Sequence, residues 1–336
     1  MRIAVTGSTG LIGSALVSAL QAEGHSVIPI ICSGRTPPPG GVSLDLEALE
    51  HEGEGLFTTS STGAVSPNPS RLESIYYAEL EGIDVVIHLA GENIAKGRWT
   101  RGKKDRILYS RLFSTTALSK ALSQLQSPPR VLLSASAVGV YNDRGDEELD
   151  EEIASEFTFT VELSALSGAS FLAHVCTLWE TGKEAFPLPR TRRASLRFGA
   201  VLSGKGGALA KMLLPFRYGL GGVIGSGEQY MSWIAIDDVV GAIKHVLAAE
   251  TLQGPVNVVS PNPVTNREFT QTLGRVLRRP TLFPIPAFAV RVAFGELADA
   301  LLLASQRVAP RKLMDSGYVF KYPVLEDALR HVLELE

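Results

Sequence analysis

The sequence predicts an α/β protein: a doubly wound parallel sheet with a smaller, mostly helical domain on the substrate side. Two observations support this prediction. Short, continuously apolar strands alternate with helical segments along the chain, and glycines cluster near the N-terminus and again after residue 203. The chain has 336 residues, 45% of them hydrophobic and 20% charged, as expected for a globular protein with a substantial core.

The predicted elements follow one another in the order that a parallel sheet needs. Predicted strands cover residues 2–6, 27–32, 84–89, 131–134 and 195–198, and predicted helices cover 11–22, 103–125, a stretch ending near 181, and 239–249. We predict that residues 1–203 and 232–259 form a nucleotide-binding domain with a surface-loop insertion at 36–76. Residues 204–231 and 260–336 would form the smaller domain, in which the glycine-rich run 204–227 is a flexible substrate loop. Asp237 and Asp238 are predicted to cap the helix over 239–249.

Charge and composition narrow the classes of partner. There are 32 basic and 35 acidic residues, so no overall positive field attracts nucleic acid or an anionic membrane. We therefore expect a small-molecule substrate, neither a nucleic-acid nor a membrane partner, and leave a homodimer open. The two cysteines, Cys32 and Cys176, suit buried thiols of a reducing compartment, and we expect a cytoplasmic location with organellar import left open. No cluster has the spacing of metal ligands, so no metal is predicted.

The strongest local signal is a glycine-rich turn between the first predicted strand and the first predicted helix. The spacing G-x-x-G-x-x-G allows a tight turn, a close approach of backbone to a pyrophosphate, and close packing of the helix on the sheet. The helix N-terminus then offers free N–H groups to the phosphates. The sequence therefore predicts a Rossmann-like dinucleotide site with these cofactor-binding residues: Thr6, Gly7, Thr9, Gly10, Leu11, Ile12 and Gly13.

The end of the second predicted strand indicates which dinucleotide is bound. A carboxylate at this place selects NAD, whereas an arginine accommodates the 2′-phosphate of NADP. The chain has Ser33 and Arg35 here and no acidic residue. Arg35 can bind a phosphate through two charge-assisted hydrogen bonds, with Ser33 as a further donor, so NADP(H) is the predicted cofactor. The alternative is that Arg35 is a solvated loop charge.

Further motifs extend along nearly the whole chain outside the 36–76 insertion. They are LAGENI at 89–94, SR at 110–111, WE at 179–180, RFGAVL at 197–202, LPFR at 214–217, GSG at 225–227 and WIAIDD at 233–238. Together they resemble one branch of the atypical extended short-chain dehydrogenases/reductases, an NAD(P)-binding epimerase-like family with a family-specific C-terminal domain. The resemblance implies oxidoreductase or epimerase chemistry. It also implies that Leu89, Ala90 and Gly91 lie beside the adenine and ribose of the cofactor.

The same resemblance raises a problem at the catalytic centre. Related enzymes use a serine to orient the substrate carbonyl and a Tyr-x-x-x-Lys pair for proton transfer. Ser136 matches the serine, but Leu172 and Cys176 stand where the tyrosine and lysine are expected, and the chain has no Tyr-x-x-x-Lys elsewhere. Tyr141 is the best substitute for the phenol, with the alternative that it is a packing aromatic.

Three polar residues are substrate-binding candidates. Glu92 and Asn93 follow a strand end where ligands collect, and Arg217 lies in the second glycine-rich run. Lys104 and Arg111, on the helix that follows, either contact an anion or form part of a solvated face. Two functions remain open: an NADP(H)-dependent oxidoreductase or epimerase without the usual Tyr-x-x-x-Lys pair, and a catalytically degenerate NADP(H)-binding regulator or scaffold protein.

Overall fold

The computed structural model describes residues 1–32, 42–44, 57–59, 65–67, 78–153 and 168–335. Its strands lie in the following order along the chain: β1 (Arg2–Thr6), β2 (Ser26–Cys32), β3 (Val42–Leu44), β4 (Phe57–Thr59), β5 (Val65–Pro67), β6 (Val85–His88), β7 (Val131–Ala137), β8 (Glu148–Leu149), β9 (Arg192–Phe198), β10 (Ala200–Leu202), β11 (Tyr230–Met231), β12 (Trp233–Ala235), β13 (Gly254–Val258), β14 (Val264–Thr265) and β15 (Arg307–Val308).

The helices of the described residues are α1 (Leu11–Ala22), α2 (Arg101–Ser123), α3 (Gly168–Gly182), α4 (Gly207–Arg217), α5 (Ile236–Ala248), α6 (Asn266–Leu277), α7 (Ala287–Phe294), α8 (Arg311–Asp315) and α9 (Leu325–Val332). Short 3-10 turns cover Ala78–Leu80 and Val138–Tyr141, and a π-helical turn covers Ala298–Leu302. None of these helices combines the length and the hydropathy needed to cross a bilayer.

Seven strands form one parallel sheet in the order β13-β9-β7-β6-β1-β2-β3. The chain moves outward from β1 to β3 and then returns to β6 on the other side of β1. The strand order therefore reverses between β1 and β6, and a crevice that binds ligands is expected at the carboxyl ends of these two strands. The predicted fold class, a Rossmann-like doubly wound parallel sheet, is confirmed.

Helices cover both faces of the sheet, which explains the continuously apolar strands. Ala4 of β1 packs in a cluster with residues of α2 and α3, whereas its neighbours Ile3 and Val5 pack in a second cluster with residues of α1 and α5. All three side chains are 0% exposed. Because successive residues of a strand point to opposite faces, a strand covered on both sides favours apolar side chains at every position.

A third hydrophobic cluster lies at the smaller, helical end of the molecule. It joins α4, α6 and α9 to β10 and β12, and Trp233 at its centre is completely buried, with its indole Nε1 donating to the Asn262 carbonyl at 2.9 Å. Leu202 and Trp233 come from the predicted nucleotide-binding segments, whereas Leu209 and Phe269 come from the predicted smaller domain. The domain boundaries themselves stay a prediction.

The structure corrects three local predictions. The glycine-rich run 204–227 is not wholly a loop, because Leu209, Leu213 and Phe216 recur at helical spacing and bury one face of α4. Residues 42–44 belong to the sheet as its edge strand β3 and not to an insertion, while most of the 36–76 segment lies outside the described residues. Neither Asp237 nor Asp238 caps α5, because both lie inside the helix, whose N-cap is Ala235. The Asp238 carboxylate accepts from the backbone N–H of Lys321 and Tyr322, and the Asp237 carboxylate lies 3.0 Å from His331 Nε2.

Candidate functional site

The first βα turn has the close backbone packing that its glycines predict. Gly7 has φ +66°, and a Cβ atom there would lie 2.8 Å from the Leu89 carbonyl. A Cβ at Gly13 would lie 2.1 Å from the Gly7 carbonyl oxygen, so α1 packs on the turn at a distance that only glycine allows. The Gly10 N–H donates to the Gly7 carbonyl at 3.0 Å and closes the turn.

The N-terminus of α1 is open to an anion. Gly10 is its N-cap and provides no side chain, and the first turn, which begins with Leu11 and Ile12, has no acidic residue. Thr9 and Gly10 are exposed to solvent. Free N–H groups and the positive end of the helix dipole therefore face the crevice, an arrangement that fits the pyrophosphate of a dinucleotide.

A buried hydrogen-bond chain ties this turn to the end of β6. The Thr6 Oγ1 accepts from the N–H groups of Leu89 and Ala90, at 3.1 and 3.2 Å, and lies 2.7 Å from His88 Nδ1. On the other side, His88 Nε2 lies 3.1 Å from Ser114 Oγ, whose proton goes to the Ser110 carbonyl. These partners assign the His88 proton to Nε2, so that Nδ1 accepts from Thr6.

Burial keeps this histidine neutral. Desolvation, assisted by the positive charge of Arg111, lowers the pKa of His88 from 6.5 to about 4. His88 therefore positions the ends of β1 and β6 and carries no charge into the crevice at neutral pH.

Helix α4 lies across the crevice from the turn. Cβ atoms at Gly206 and Gly207 would lie 3.4 and 3.0 Å from the Leu11 side chain, so the start of α4 adjoins the predicted phosphate site. Further along α4, the Lys211 Nζ donates to the Ala95 carbonyl at 2.6 Å. The structure thus brings the two glycine clusters of the sequence to the same place.

Ser136 lies at the carboxyl end of β7 and is bound to a carboxylate. Its Oγ donates to Glu180 Oε1 at 2.7 Å. The Arg197 guanidinium holds both oxygens of the same carboxylate, through Nε at 2.8 Å and Nη2 at 2.9 Å. Burial opposes the charge of Arg197, but the pairing with Glu180 and the contact with Tyr141 raise its pKa above the usual value. Ser136 is 2% exposed, and because its proton is committed to Glu180, its oxygen can act only as an acceptor towards a further partner.

Tyr141 is part of the same buried network. Its side chain is 5% exposed, and its hydroxyl accepts from Arg197 Nη1 at 2.8 Å. The single hydroxyl proton is shared between the Asp150 carbonyl and Asn257 Oδ1, each at 2.9 Å. Burial raises the pKa of Tyr141, with the charge of Arg197 opposing. These contacts correspond to the packing alternative for Tyr141, and the proton-donor role stays a prediction without support from the geometry.

The two positions of the expected Tyr-x-x-x-Lys pair lie on α3 beside β7. Leu172 and Cys176 are 6% and 4% exposed, and both pack against Gly139 in the turn that follows β7. Burial raises the pKa of the Cys176 thiol to about 12, and the charge of Glu180 adds to the rise. Neither side chain can supply the base of the usual pair at neutral pH.

The substrate-binding candidates are only partly brought together. Glu92 and Asn93 follow the end of β6, where the Lys103 Nζ donates both to the Glu92 carboxylate and to the Asn93 carbonyl. The hydrogen bond from Lys103 lowers the pKa of Glu92. Arg217 instead lies exposed at the end of α4, where its carbonyl accepts from Arg279. The cation of α4 that contacts the loop after β6 is Lys211, through the Ala95 carbonyl.

Two predicted cofactor residues, Ser33 and Arg35, lie outside the described residues. Gly91 lies beside the Arg111 guanidinium: a Cβ at Gly91 would be 3.2 Å from Arg111 Cζ. Within the described ranges, no group of three or more His, Cys, Asp or Glu side chains is arranged to hold a metal ion.

Sequence reasoning missed Glu180 and Arg197 as site residues, although both lie in quoted motifs. Glu180 ends the WE pair and Arg197 begins the RFGAVL run. The available signal is one acidic and one basic residue, each within an otherwise apolar stretch of a motif, because charges in such stretches are usually paired.

Comparisons with known proteins agree with this geometry. The sequence profile of the NAD dependent epimerase/dehydratase family matches residues 3–163, and that of a domain of unknown function, DUF1731, matches residues 285–332. Epimerase family protein Mb2239 of Mycobacterium bovis is 37% identical over 97% of this chain and 96% of its own length. Human epimerase family protein SDR39U1 is 35% identical over 99% of this chain and 100% of its own.

Solved structures support the same grouping. The crystal structure of human SDR39U1 (isoform 2) with NADPH has a TM-score of 0.81 at 34% identity and covers 99% of both chains. The structure of MoeE5 in complex with UDP-glucuronic acid and NAD, at 19% identity and a TM-score of 0.69, covers 99% of this chain and 98% of its own and shows a shared fold alone.

The neutral, buried His88 predicts a loss of stability in mild acid. Its folded pKa of about 4 lies below the unfolded value of 6.5, so the unfolded state gains the proton first as the pH falls. The free energy of unfolding should therefore drop by about 2 kcal/mol from this group between pH 7 and pH 5. Urea titrations of wild type and His88→Gln measure it: the variant should lack this part of the pH dependence, and the same change at His25 should retain it. Parallel pH profiles for wild type and His88→Gln would contradict the assignment.

Removing one partner of the Arg197–Glu180 pair should lower the free energy of unfolding substantially. Glu180→Ala leaves the buried Arg197 charge uncompensated and should lower the free energy of unfolding by about 3–5 kcal/mol. The matched control is Glu228→Ala, which removes the partner of Arg267 in a pair whose side chains are 71% and 48% exposed and should cost less than about 1 kcal/mol. Equal losses of unfolding free energy in the two variants, measured by urea unfolding, would show that the buried pair contributes no more to stability than the exposed pair.

Proposed function

The chain belongs to the epimerase family that includes human SDR39U1 and its mycobacterial relatives, an atypical branch of the short-chain dehydrogenases/reductases, and on this premise we propose that it is an NADP(H)-dependent oxidoreductase or epimerase of a small-molecule substrate. The observation that carries the proposal is the open first turn of α1 behind Gly7 and Gly13, which fits a dinucleotide pyrophosphate. The reaction would proceed without the usual Tyr-x-x-x-Lys pair.

Two lines of support favour NADP(H) over NAD(H). The second strand is followed by Arg35 and has no acidic residue that would repel a 2′-phosphate. The human relative, which matches this chain over 99% of both lengths, was solved with NADPH. In this proposal Thr6 to Gly13 hold the pyrophosphate, and Leu89 to Gly91 border the adenosine.

When bound, NADP(H) would supply the hydride chemistry, and the residues of this chain would position the substrate. Ser136 donates its own proton to Glu180, so we assign it the role of accepting a hydrogen bond from a substrate hydroxyl. Glu180 orients Ser136, and Arg197 holds Glu180 in place. Glu92 and Asn93 are proposed to contact polar groups of the substrate at the adjoining strand end.

A second candidate function is supported by the altered centre. Leu172 and Cys176 replace the proton-transfer pair, and Tyr141 is enclosed by partners. A protein that binds NADP(H) and serves as a regulator or scaffold has no need of that pair. Reproducible oxidation of bound NADPH by a carbonyl or sugar substrate separates the two candidates in favour of the enzyme.

The cofactor assignment predicts a preference that one substitution removes. Wild type should bind NADPH at least tenfold more tightly than NADH, because each 1.4 kcal/mol contributed by the 2′-phosphate contacts is a factor of ten. Arg35→Asp should abolish or reverse the preference by placing a carboxylate next to that phosphate. Fluorescence titration measures both affinities, with Arg190→Asp as a control at an exposed arginine. Equal NADPH and NADH affinities in the wild type would refute the role of Arg35.

The proposed role of Ser136 is testable against a neighbour on the same strand. Ser136→Ala should lower kcat/KM for a substrate found by screening carbonyls and sugar nucleotides by about 10²-fold, the order expected when a positioned hydrogen-bonding group is removed. Ser134→Ala is the matched control, because the Ser134 Oγ is buried with no hydrogen-bond partner among the described residues. A Ser136→Ala variant with unchanged turnover would leave the substrate-binding role without a basis.

A further inference from the structure

Arg111 is a cation in the crevice that the proposed function does not use. It extends from α2 towards the end of β6, where Nη2 donates to the Glu92 carbonyl at 3.1 Å, while Nη1 donates to the Ile107 carbonyl of its own helix at 3.0 Å. Its Cζ lies 4.8 Å from the centroid of the Trp179 ring on α3. The guanidinium is therefore held between α2, α3 and the loop after β6.

Arg111 forms no ion pair with a carboxylate among the described residues, although the charge of the nearby Glu92 acts on it. Its partners among the described residues are two carbonyl oxygens and an aromatic ring, and the neighbouring Glu92 carboxylate is bound to Lys103. An arginine stays protonated in proteins and has five N–H donors, of which these contacts use two. Half-buried and without an ion pair, this guanidinium leaves both positive charge and donors for a ligand.

The positive charge of Arg111 also reaches Cys176, which stands where the missing lysine is expected. Burial and the charge of Glu180 raise the pKa of the Cys176 thiol, and the nearby charges of Arg111 and Arg197 oppose that rise. Cys176 lies just before Trp179 on α3, over whose ring the guanidinium packs. The cation that the fold usually carries on α3 is thus replaced by one that comes from α2.

The sheet topology places this cation on the nicotinamide side of the crevice. The pyrophosphate site is the turn after β1, and the adenosine ribose belongs at the end of β2. The strand order is β9-β7-β6-β1-β2, so the other half of a dinucleotide extends in the opposite direction, over β6 and β7. Arg111 extends from Gly91, the last of the predicted adenosine contacts, to Trp179 on α3, a helix that packs beside β7 and so on the side away from β2.

We propose that the unpaired guanidinium of Arg111 makes this site select the reduced cofactor, binding NADPH more tightly than NADP⁺. The inference rests on the proposed NADP(H) site. The two cofactors share every phosphate and differ in the ring, which carries a positive charge in NADP⁺ and none in NADPH. A fixed cation beside that ring repels only the oxidised form, and the repulsion is strong where water is partly excluded.

This selection has a consequence for both candidate functions. An enzyme that holds NADPH and releases NADP⁺ is suited to the reductive direction, because its product cofactor leaves readily. A regulator with the same preference responds to the ratio of NADPH to NADP⁺ and not to the total cofactor concentration. Arg111 is in either case a specificity-determining residue for the redox state of the cofactor.

The test compares the affinities of three ligands on the full chain by calorimetry: NADPH, NADP⁺ and 2′-phospho-ADP-ribose, which lacks the nicotinamide. The proteins are wild type, Arg111→Met, Arg111→Lys and the control Arg106→Met, an exposed arginine of the same helix. We expect wild type to bind NADPH at least tenfold more tightly than NADP⁺. Arg111→Met should reduce this ratio at least tenfold, mainly through tighter NADP⁺ binding, whereas Arg111→Lys and Arg106→Met should keep most of it.

Two outcomes would overturn the proposal. Equal affinities of wild type for NADPH and NADP⁺ contradict it without any variant, so it stays testable if Arg111→Met does not fold. An unchanged ratio in a folded Arg111→Met shows that Arg111 only packs against Trp179. Binding of 2′-phospho-ADP-ribose tests the proposed NADP(H) site separately from Arg111. If this ligand binds while the ratio is unchanged, only the inference about Arg111 is wrong. If it does not bind, the proposed NADP(H) site and the inference about Arg111 are both wrong.

Discussion

The bidentate ion pair between Arg197 and Glu180 joins the elements that meet at the carboxyl edge of the sheet. Arg197 lies on β9 and Glu180 on α3, and Ser136 on β7 donates to the same carboxylate. From Arg197 the hydrogen bonds continue through Tyr141 to Asn257 on β13, whose Nδ2 donates to the Ala309 carbonyl just before α8. Charges in an enclosed place are tolerated when they are paired and hydrogen-bonded. This pair therefore connects Ser136 on β7 with the C-terminal segment through one hydrogen-bonded network.

A second rigid junction faces it across the crevice. Thr6 and the neutral His88 connect the ends of β1 and β6, and Gly7 packs directly on the backbone of Leu89. The candidate site lies between a neutral junction that carries the phosphate turn and a charged junction that carries Ser136. In the usual arrangement of this superfamily, the lysine of the Tyr-x-x-x-Lys pair places a positive charge on α3 at the position of Cys176. In this chain α3 instead carries a negative charge on Glu180, one turn later. The positive charges near this position come from Arg197 on β9 and Arg111 on α2.

Much of the fold and part of the site could be predicted because their signals are local. The bounds of β1 and α1 are as predicted, since a continuously apolar strand, three spaced glycines and an apolar helix follow one another within the first 22 residues. The run 204–227 was predicted wrongly because its glycine count suggested a loop, whereas Leu209, Leu213 and Phe216 bury a helical face. Asp238 resembled a helix cap, but its partners lie more than 80 positions away.

Sequence patterns established the parallel α/β class, the phosphate turn and the absence of the Tyr-x-x-x-Lys pair, because each depends on residues close together in the chain. Tertiary structure decided which buried polar groups pair: Ser136 with Glu180, and Tyr141 with Arg197 and Asn257. It also showed that Arg111 lies in the crevice without a carboxylate partner among the described residues. The physical reason is that the partner of a buried charge or hydroxyl is selected by packing between distant segments, and neither spacing nor composition encodes that contact.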